Sequence, residues 1–226
     1  MKYDNIYEGV FLERPNRFIA KVLIDGKTET VHVKNTGRCK EILAPKAKCY
    51  LEKSQNPERK TAYDLITVLK GKRLINIDSQ VVNKVFAEFL KTGGLFKDIT
   101  LVKPETTFGK SRFDFYIERG RKKAFIEVKG VTLENNNIVS FPDAPTERGT
   151  KHINELIEAH KAGFDAFIVF VVQMNKVKYF TPNYETDPLF GQSLKVAKEK
   201  GVKILAFDCS VTPDEIKILN KVKIKL

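Results

Sequence analysis

The rhythm of apolar and polar positions changes near residue 78, and the change divides the chain into two regions. Before it, short β-rich runs recur at Glu8–Leu12, Arg17–Ile24, Thr28–Lys34, Lys48–Lys53, Thr61–Leu69 and Leu74–Ile77. Turn-forming Asp25-Gly26, Ala44-Pro45 and Ser54–Pro57 separate several of them. Strands this short and this closely spaced over residues 1–79 predict a small β-barrel of the OB type, a distorted sandwich being the other arrangement the pattern allows.

From Asp78 the period lengthens. Val82, Val85, Phe86, Phe89 and Leu90 fall at the spacing of one helix face, with Gly93-Gly94 as the stop. Strands are predicted at Ile99–Lys103, Arg112–Glu118 and Lys123–Lys129, then a helix over Gly149–Ala162 whose stripe is Ile153, Leu156, Ile157 and His160. Ala166–Val172 is almost wholly apolar, as a strand covered on both faces must be. A helix over Pro188–Lys200 and a strand over Val202–Phe207 follow. Residues 80–226 therefore read as an α/β domain whose first elements run αβββαβ.

Composition narrows the partner. Forty Lys and Arg against 28 Asp and Glu leave a formal charge of +12, divided evenly between residues 1–80 and 81–226. No long like-charge block is present, so a basic surface has to be assembled by folding, and nucleic acid is the first polyanion to expect. No apolar run is long enough to span a bilayer and no basic amphipathic helix dominates, so a membrane partner is not expected. The N-terminal residues carry acids where a secretion signal needs an apolar stretch, and three cysteines form no disulfide pattern, which points to the cytoplasm. The oligomeric state stays open, a homodimer among the options.

The densest chemistry lies in Ser111–Glu118 and Lys123–Lys129. With Gly120-Arg121 as a two-residue turn, Phe113 faces Val128, Phe115 faces Ile126 and Ile117 faces Ala124, an apolar side. Asp114 then lies opposite Glu127, with Lys129 two residues further on the same side. Opposed carboxylates have β-carbons about 5 Å apart and repel, so a raised carboxyl pKa or a bound cation has to offset them. Mg2+ favours one or two carboxylates completed by water and phosphate, and the Val128 carbonyl offers a further oxygen. Lys129 is placed to orient a water or to steady charge on a phosphate.

An Asp followed at this distance by Glu-x-Lys on the next strand resembles the motif of the PD-(D/E)xK nucleases, whose usual core order is αβββαβ. The whole chain also resembles the sugar fermentation stimulation protein A family. The resemblance rests on Arg17-Phe-x-Ala20 with Asp25-Gly26, Asn35-Thr36-Gly37, Ser54-x-Asn-Pro-x-Arg-Lys60 and Arg112-x-Asp114-Phe115. It continues in Glu127-Val-Lys-x-Val-Thr132, Phe141-Pro-Asp-Ala144, Thr146-x-Arg-Gly-x-Lys-His152 and Gln173. The residue before Asp114 is Phe113 where the superfamily has Pro, which leaves the carboxylate in place.

The resemblance implies a DNA-binding, nuclease-like protein. On it, Asp114, Glu127 and the Val128 carbonyl hold Mg2+ or Mn2+, and Lys129 positions the attacking water for phosphodiester hydrolysis. DNA is the expected substrate and RNA stays open. Glu88, flanking the helix stripe beside Val81 and Val85, matches the accessory helix acid of some such nucleases. Gln173, at the end of the apolar strand, is a second accessory position. Arg148, Lys151 and His152 cluster at a helix N-terminus suited to phosphate. Arg14, Arg17, Arg38, Arg59 and Lys60 lie in or beside barrel turns that can line a nucleic-acid groove. The rival is a non-catalytic DNA-binding regulator on the same scaffold, tied by family resemblance to sugar (maltose) metabolism.

Two motifs are set aside. Pro104-x4-Gly109-Lys110-Ser111 ends like a phosphate-binding P-loop, but Pro replaces its first Gly and a strand follows where a helix is needed. Cys39, Cys49 and His32 lack the close ligand pairing of a zinc site.

Overall fold

The computed structural model describes residues 1–226. Strands β1 (Ile6–Asn16), β2 (Ile19–Ile24), β3 (Lys27–Val33), β4 (Lys48–Lys53), β5 (Tyr63–Lys70) and β6 (Arg73–Asn76) come first. β1 pairs with β2 and β4, β2 with β3, and β4 with β5. A parallel contact of His32 and Val33 on β3 with Asp64 and Leu65 on β5 closes these five strands into an OB-like barrel, and β6 extends it. Closure removes the open sheet edges, and alternating residues such as Ala20, Val22 and Ile24 fill the interior.

Two expectations shift here. β1 is twice the predicted length, because register breaks at Phe11–Glu13 and Glu13–Asn16 let one strand bend and serve both neighbours. Arg17 and Phe18, expected within β2, form instead the two-residue turn between Asn16 and Ile19.

The second region contains α1 (Val82–Lys91), β7 (Leu101–Phe108), β8 (Ser111–Arg119), β9 (Lys122–Val131), β10 (Glu134–Asn135), β11 (Ile138–Phe141) and α2 (Glu147–Lys161). β12 (Asp165–Val172), β13 (Tyr179–Pro182), α3 (Pro188–Glu199), β14 (Lys203–Val211) and β15 (Ile216–Lys221) complete it. Six strands form one sheet in the order β15-β14-β12-β9-β8-β7, with β9, β12 and β14 mutually parallel. β12 lies at its centre, buried from Ala166 to Val172, as its apolar run requires. β10, β11 and β13 form a separate small sheet.

Apolar residues on one face of the large sheet, among them Phe115, Ile126 and Val169, pack with α1 residues such as Phe86. Those on the other face pack with α2 and α3 in a core that runs on into the barrel. Thr146 caps α2 by accepting from the Gly149 amide, and Asp187 caps α3 by accepting from Phe190.

β7 extends beyond its predicted end because Pro104, a stop signal in an inner strand, is tolerated on this sheet edge. The β10–β11 hairpin was not predicted. Its turn is Asn136-Asn137, both with positive φ, which asparagine accepts more readily than most residues.

Gln173, an expected accessory site residue, clasps the two regions together. Its side-chain amide donates to Asn76 Oδ1 and to the Asp78 carbonyl, each at 2.9 Å, while its own carbonyl accepts from the Asn76 amide at 3.0 Å. Asn35 adds a bond to the Ile77 carbonyl at 2.9 Å.

Candidate active site

The β8–β9 hairpin has the expected register from Arg119–Lys122 up to Phe115–Ile126, and Gly120 opens its turn with φ +56. Past that pair the ladder ends. β7–β8 pairing skips the step between Glu105 and Asp114, where Glu105 has φ +50. The strand rolls over here, and Phe113, expected on the same apolar side as Phe115, turns instead to the α2 side against Phe125 and His152.

Asp114 and Glu127 are therefore not face to face on one flat surface. They border the opening where the strands part. Asp114 Oδ2 accepts the Val128 amide at 2.7 Å, and its Oδ1 accepts the Asn83 side-chain amide at 2.8 Å, tying it toward α1. Glu127 Oε1 accepts from Lys129 Nζ at 2.6 Å and from His152 Nδ1, tying it toward α2. Arg148 Nε approaches the other ring nitrogen of His152 at 3.5 Å, consistent with Nδ1 carrying the proton.

Burial, and then the negative charge of Glu127, push the Asp114 carboxyl above the ordinary carboxylate range, against the Val128 and Asn83 hydrogen bonds and the Lys129 charge. Burial alone would raise Glu127 too. The His152 hydrogen bond and Lys129 outweigh it and hold Glu127 below that range. The pair is electrically coupled, with the two carboxyls driven apart in acidity.

Glu127 is 2% exposed, and its Oε2 has no hydrogen-bond partner. A buried carboxylate oxygen without a donor is costly, and a cation is one of the few things that satisfies it. Each Asp114 oxygen also retains accepting capacity beyond its one donor. No group of three or more His, Cys, Asp or Glu side chains gathers as a metal cluster. The oxygen set at hand is two carboxylates and the Val128 carbonyl, a set that fits a hard cation sharing its shell with water and phosphate.

Asn83 was missed in the sequence. The helix residue singled out there, Glu88, lies about 140° around α1 from Asn83, and its carboxylate binds the N-terminal ammonium of Met1 at 2.6 Å. Glu88 is thus not brought to the pair. Nothing in an isolated Asn signals a partner 31 residues away.

The basic residues sort by what already occupies them. His152, expected on a phosphate-binding surface, is buried and pairs with Glu127. Arg14 donates from its two terminal nitrogens to the carbonyls of Gly37, Arg38, Arg17 and Asn35, between 2.6 and 2.8 Å, so it organises loops rather than meeting a ligand. Arg59 makes two bonds to Asp64, at 2.7 and 3.0 Å. Arg17, Arg38, Lys60, Arg148 and Lys151 are exposed. Lys151 leans on the Lys110 carbonyl at 3.3 Å. Cys39, Cys49 and Cys209 are buried and free, with burial pushing all three thiols up.

No helix is long and apolar enough to cross a membrane. The SfsA N-terminal OB domain matches residues 12–77, and the sugar fermentation stimulation protein RE domain matches residues 80–215. A sugar fermentation stimulation protein homolog of Clostridium beijerinckii is 59% identical over 226 residues, covering all of both chains. One from Desulfitobacterium hafniense is 58% identical, covering all of this chain and 99% of that protein. The structure of Pyrococcus furiosus SfsA in complex with Ca2+ superimposes with a TM-score of 0.90 at 29% identity, covering 100% of this chain and 98% of the other. The chain belongs to the sugar fermentation stimulation protein family.

Proposed function

We propose that this protein binds nucleic acid, DNA first, and hydrolyses its phosphodiester bonds with Mg2+ or Mn2+ held by Asp114 and Glu127. The observation that carries the reading is Glu127 Oε2, a buried carboxylate oxygen with no partner, near a second, half-buried carboxylate whose acidity it perturbs, in a chain of formal charge +12. An OB-like barrel on the same chain supports nucleic acid as the polyanion. The Ca2+ in the Pyrococcus furiosus relative supports an oxygen-liganded divalent cation.

When bound, such a cation stabilises charge on the phosphoryl oxygens and lowers the cost of activating water. The chain's own residues do the rest. Asn83 and the Val128 amide fix the Asp114 carboxylate, and His152 fixes Glu127. Lys129, paired to Glu127 and 17% exposed, orients the attacking water and offsets negative charge on the phosphate. Arg148 and Lys151, in the first turns of α2, hold a neighbouring phosphate at the positive end of that helix.

The test is cleavage of single- and double-stranded DNA and RNA with Mg2+ or Mn2+, beside EDTA controls and Asp114→Ala. Metal-dependent cleavage that the variant loses is the expected result. No metal-dependent cleavage of any substrate, or equal cleavage by Asp114→Ala, overturns the hydrolytic reading.

A further inference from the structure

The turn between β1 and β2 presents a ring where a soluble protein has little use for one. Phe18 is 50% exposed, the only aromatic among the exposed large apolar side chains. Its backbone is held on several sides. Asn16 Oδ1 accepts from the Phe18 and Ile19 amides at 2.9 and 3.1 Å, and the Val33 amide donates to the Phe18 carbonyl at 2.8 Å. The neighbouring Arg17 carbonyl is gripped by Arg14 at 2.7 Å. A firmly positioned backbone thus carries two solvent-facing side chains, Phe18 and Arg17, with the Arg17 guanidinium carbon 5.6 Å from the ring centroid.

The same Arg14 grips the Arg38 carbonyl at 2.7 Å, and the Arg38 amide donates to Asp143 Oδ2 at 2.9 Å. Asp143 lies just ahead of the Thr146 cap of α2, and α2 carries Arg148 and His152, the partner of Glu127. A chain of direct contacts and short backbone links therefore runs from the exposed ring to the carboxylate pair, with exposed Arg17, Arg38 and Arg148 along it.

A firmly held, exposed ring beside the free Arg17 cation is the chemistry that takes an unpaired nucleobase: stacking on the ring face, with a neighbouring phosphate held by the guanidinium. The bases of a duplex are already stacked and offer no such face. We infer that the Arg17-Phe18 turn is a base-stacking contact, and that the substrate of the site proposed above is single-stranded where it crosses the barrel. The inference rests on the nucleic-acid part of the proposed function and not on hydrolysis.

The chain contains no tryptophan, so Phe18→Trp supplies a single tryptophan, excited selectively over the tyrosines, at the proposed contact. In EDTA, to prevent cleavage, a single-stranded oligothymidylate is expected to quench that emission, and an abasic strand of equal length is expected to bind without quenching. Phe18→Ala is expected to weaken single-strand binding about five- to 150-fold, the range for loss of one base–aromatic stack, and to leave duplex binding unchanged. Unquenched emission with single-strand affinity retained in Phe18→Ala overturns the stacking contact and leaves nucleic-acid binding intact. Absence of binding to any strand or duplex by the unaltered protein overturns both.

Discussion

The Val128 amide donates to Asp114 Oδ2 at 2.7 Å, one step beyond the last regular pair of the β8–β9 ladder. An acid that a flat ribbon would set against Glu127 is thereby turned aside, given a backbone donor, and kept close enough for the two charges to interact. Like-charge repulsion is reduced without the loss of either carboxylate.

Because burial and Glu127 raise the Asp114 carboxyl, its ionised form costs the fold stability at neutral pH and is relieved as pH falls. Asp114→Asn is expected to melt no lower than the unaltered protein at pH 7. Saturating Mg2+ or Mn2+ at about 100 times Kd is expected to stabilise the unaltered protein by about 2.7 kcal/mol and the variant by far less. Thermal unfolding with and without metal measures both. An equal metal-induced shift in the two proteins removes Asp114 from the cation site.

His152 supports a buried charge, so its loss is felt through Glu127. His152→Ala is expected to cost about 2–4 kcal/mol, since it withdraws a donor from a carboxylate 2% exposed. Adding Glu127→Gln is expected to recover part of that loss, with a coupling of about 1 kcal/mol or more. Urea unfolding of the two single variants and the double variant gives the coupling directly, and strict additivity would mean that the pair does not interact.

Asp64 gives the acid limb of stability. Burial alone would raise it, but Arg59, Lys34 and His32 hold it at about 2. A carboxyl depressed from an unfolded value near 3.9 stabilises the fold by about 2 kcal/mol above pH 4, and that contribution disappears as pH falls toward 2. Asp64→Asn is accordingly expected to be less stable than the unaltered protein at pH 7, with the gap closing between pH 4 and pH 2. A gap independent of pH contradicts the linkage.

Free and engaged arginines should separate in salt titrations. Arg17→Ala and Arg38→Ala are each expected to flatten the slope of log K against log salt for single-strand binding by about 0.7. Arg59→Ala is expected to leave the slope unchanged, because its charge is already committed to Asp64. Fluorescence anisotropy of a labelled strand across a salt series decides it, and an Arg59 effect equal to that of Arg17 contradicts the assignment.

Much of the fold was legible in local pattern. The apolar run of β12, the stripe of α1 and the Gly120 turn each satisfy a requirement set within a few residues: burial on both faces, burial on one stripe, a positive φ. The β7 extension and the β10–β11 hairpin were hidden because Pro104 and Asn136-Asn137 look like breakers until a sheet edge and a tight turn make use of them. At the site, the sequence singles out Asp114, Glu127 and Lys129, but strand alternation sets the two acids face to face, whereas the break in the ladder turns Asp114 toward Asn83, a partner the sequence does not signal. His152 was seen but given the wrong task, since a helix start predicts exposure and only packing buries it.

The sequence alone determined which side chains are available and which local element carries each, because hydrophobic period, turn chemistry and charge act over a few residues. Tertiary structure decided which of them are free. Arg14, Arg59 and Arg17 are the same residue type, all in or beside the barrel's turns, yet the first is held through its two terminal nitrogens by four carbonyls, the second is bound to Asp64, and the third faces solvent beside Phe18. A guanidinium or carboxylate is defined chemically by its partners, and those partners come from distant segments that only folding brings within hydrogen-bond reach.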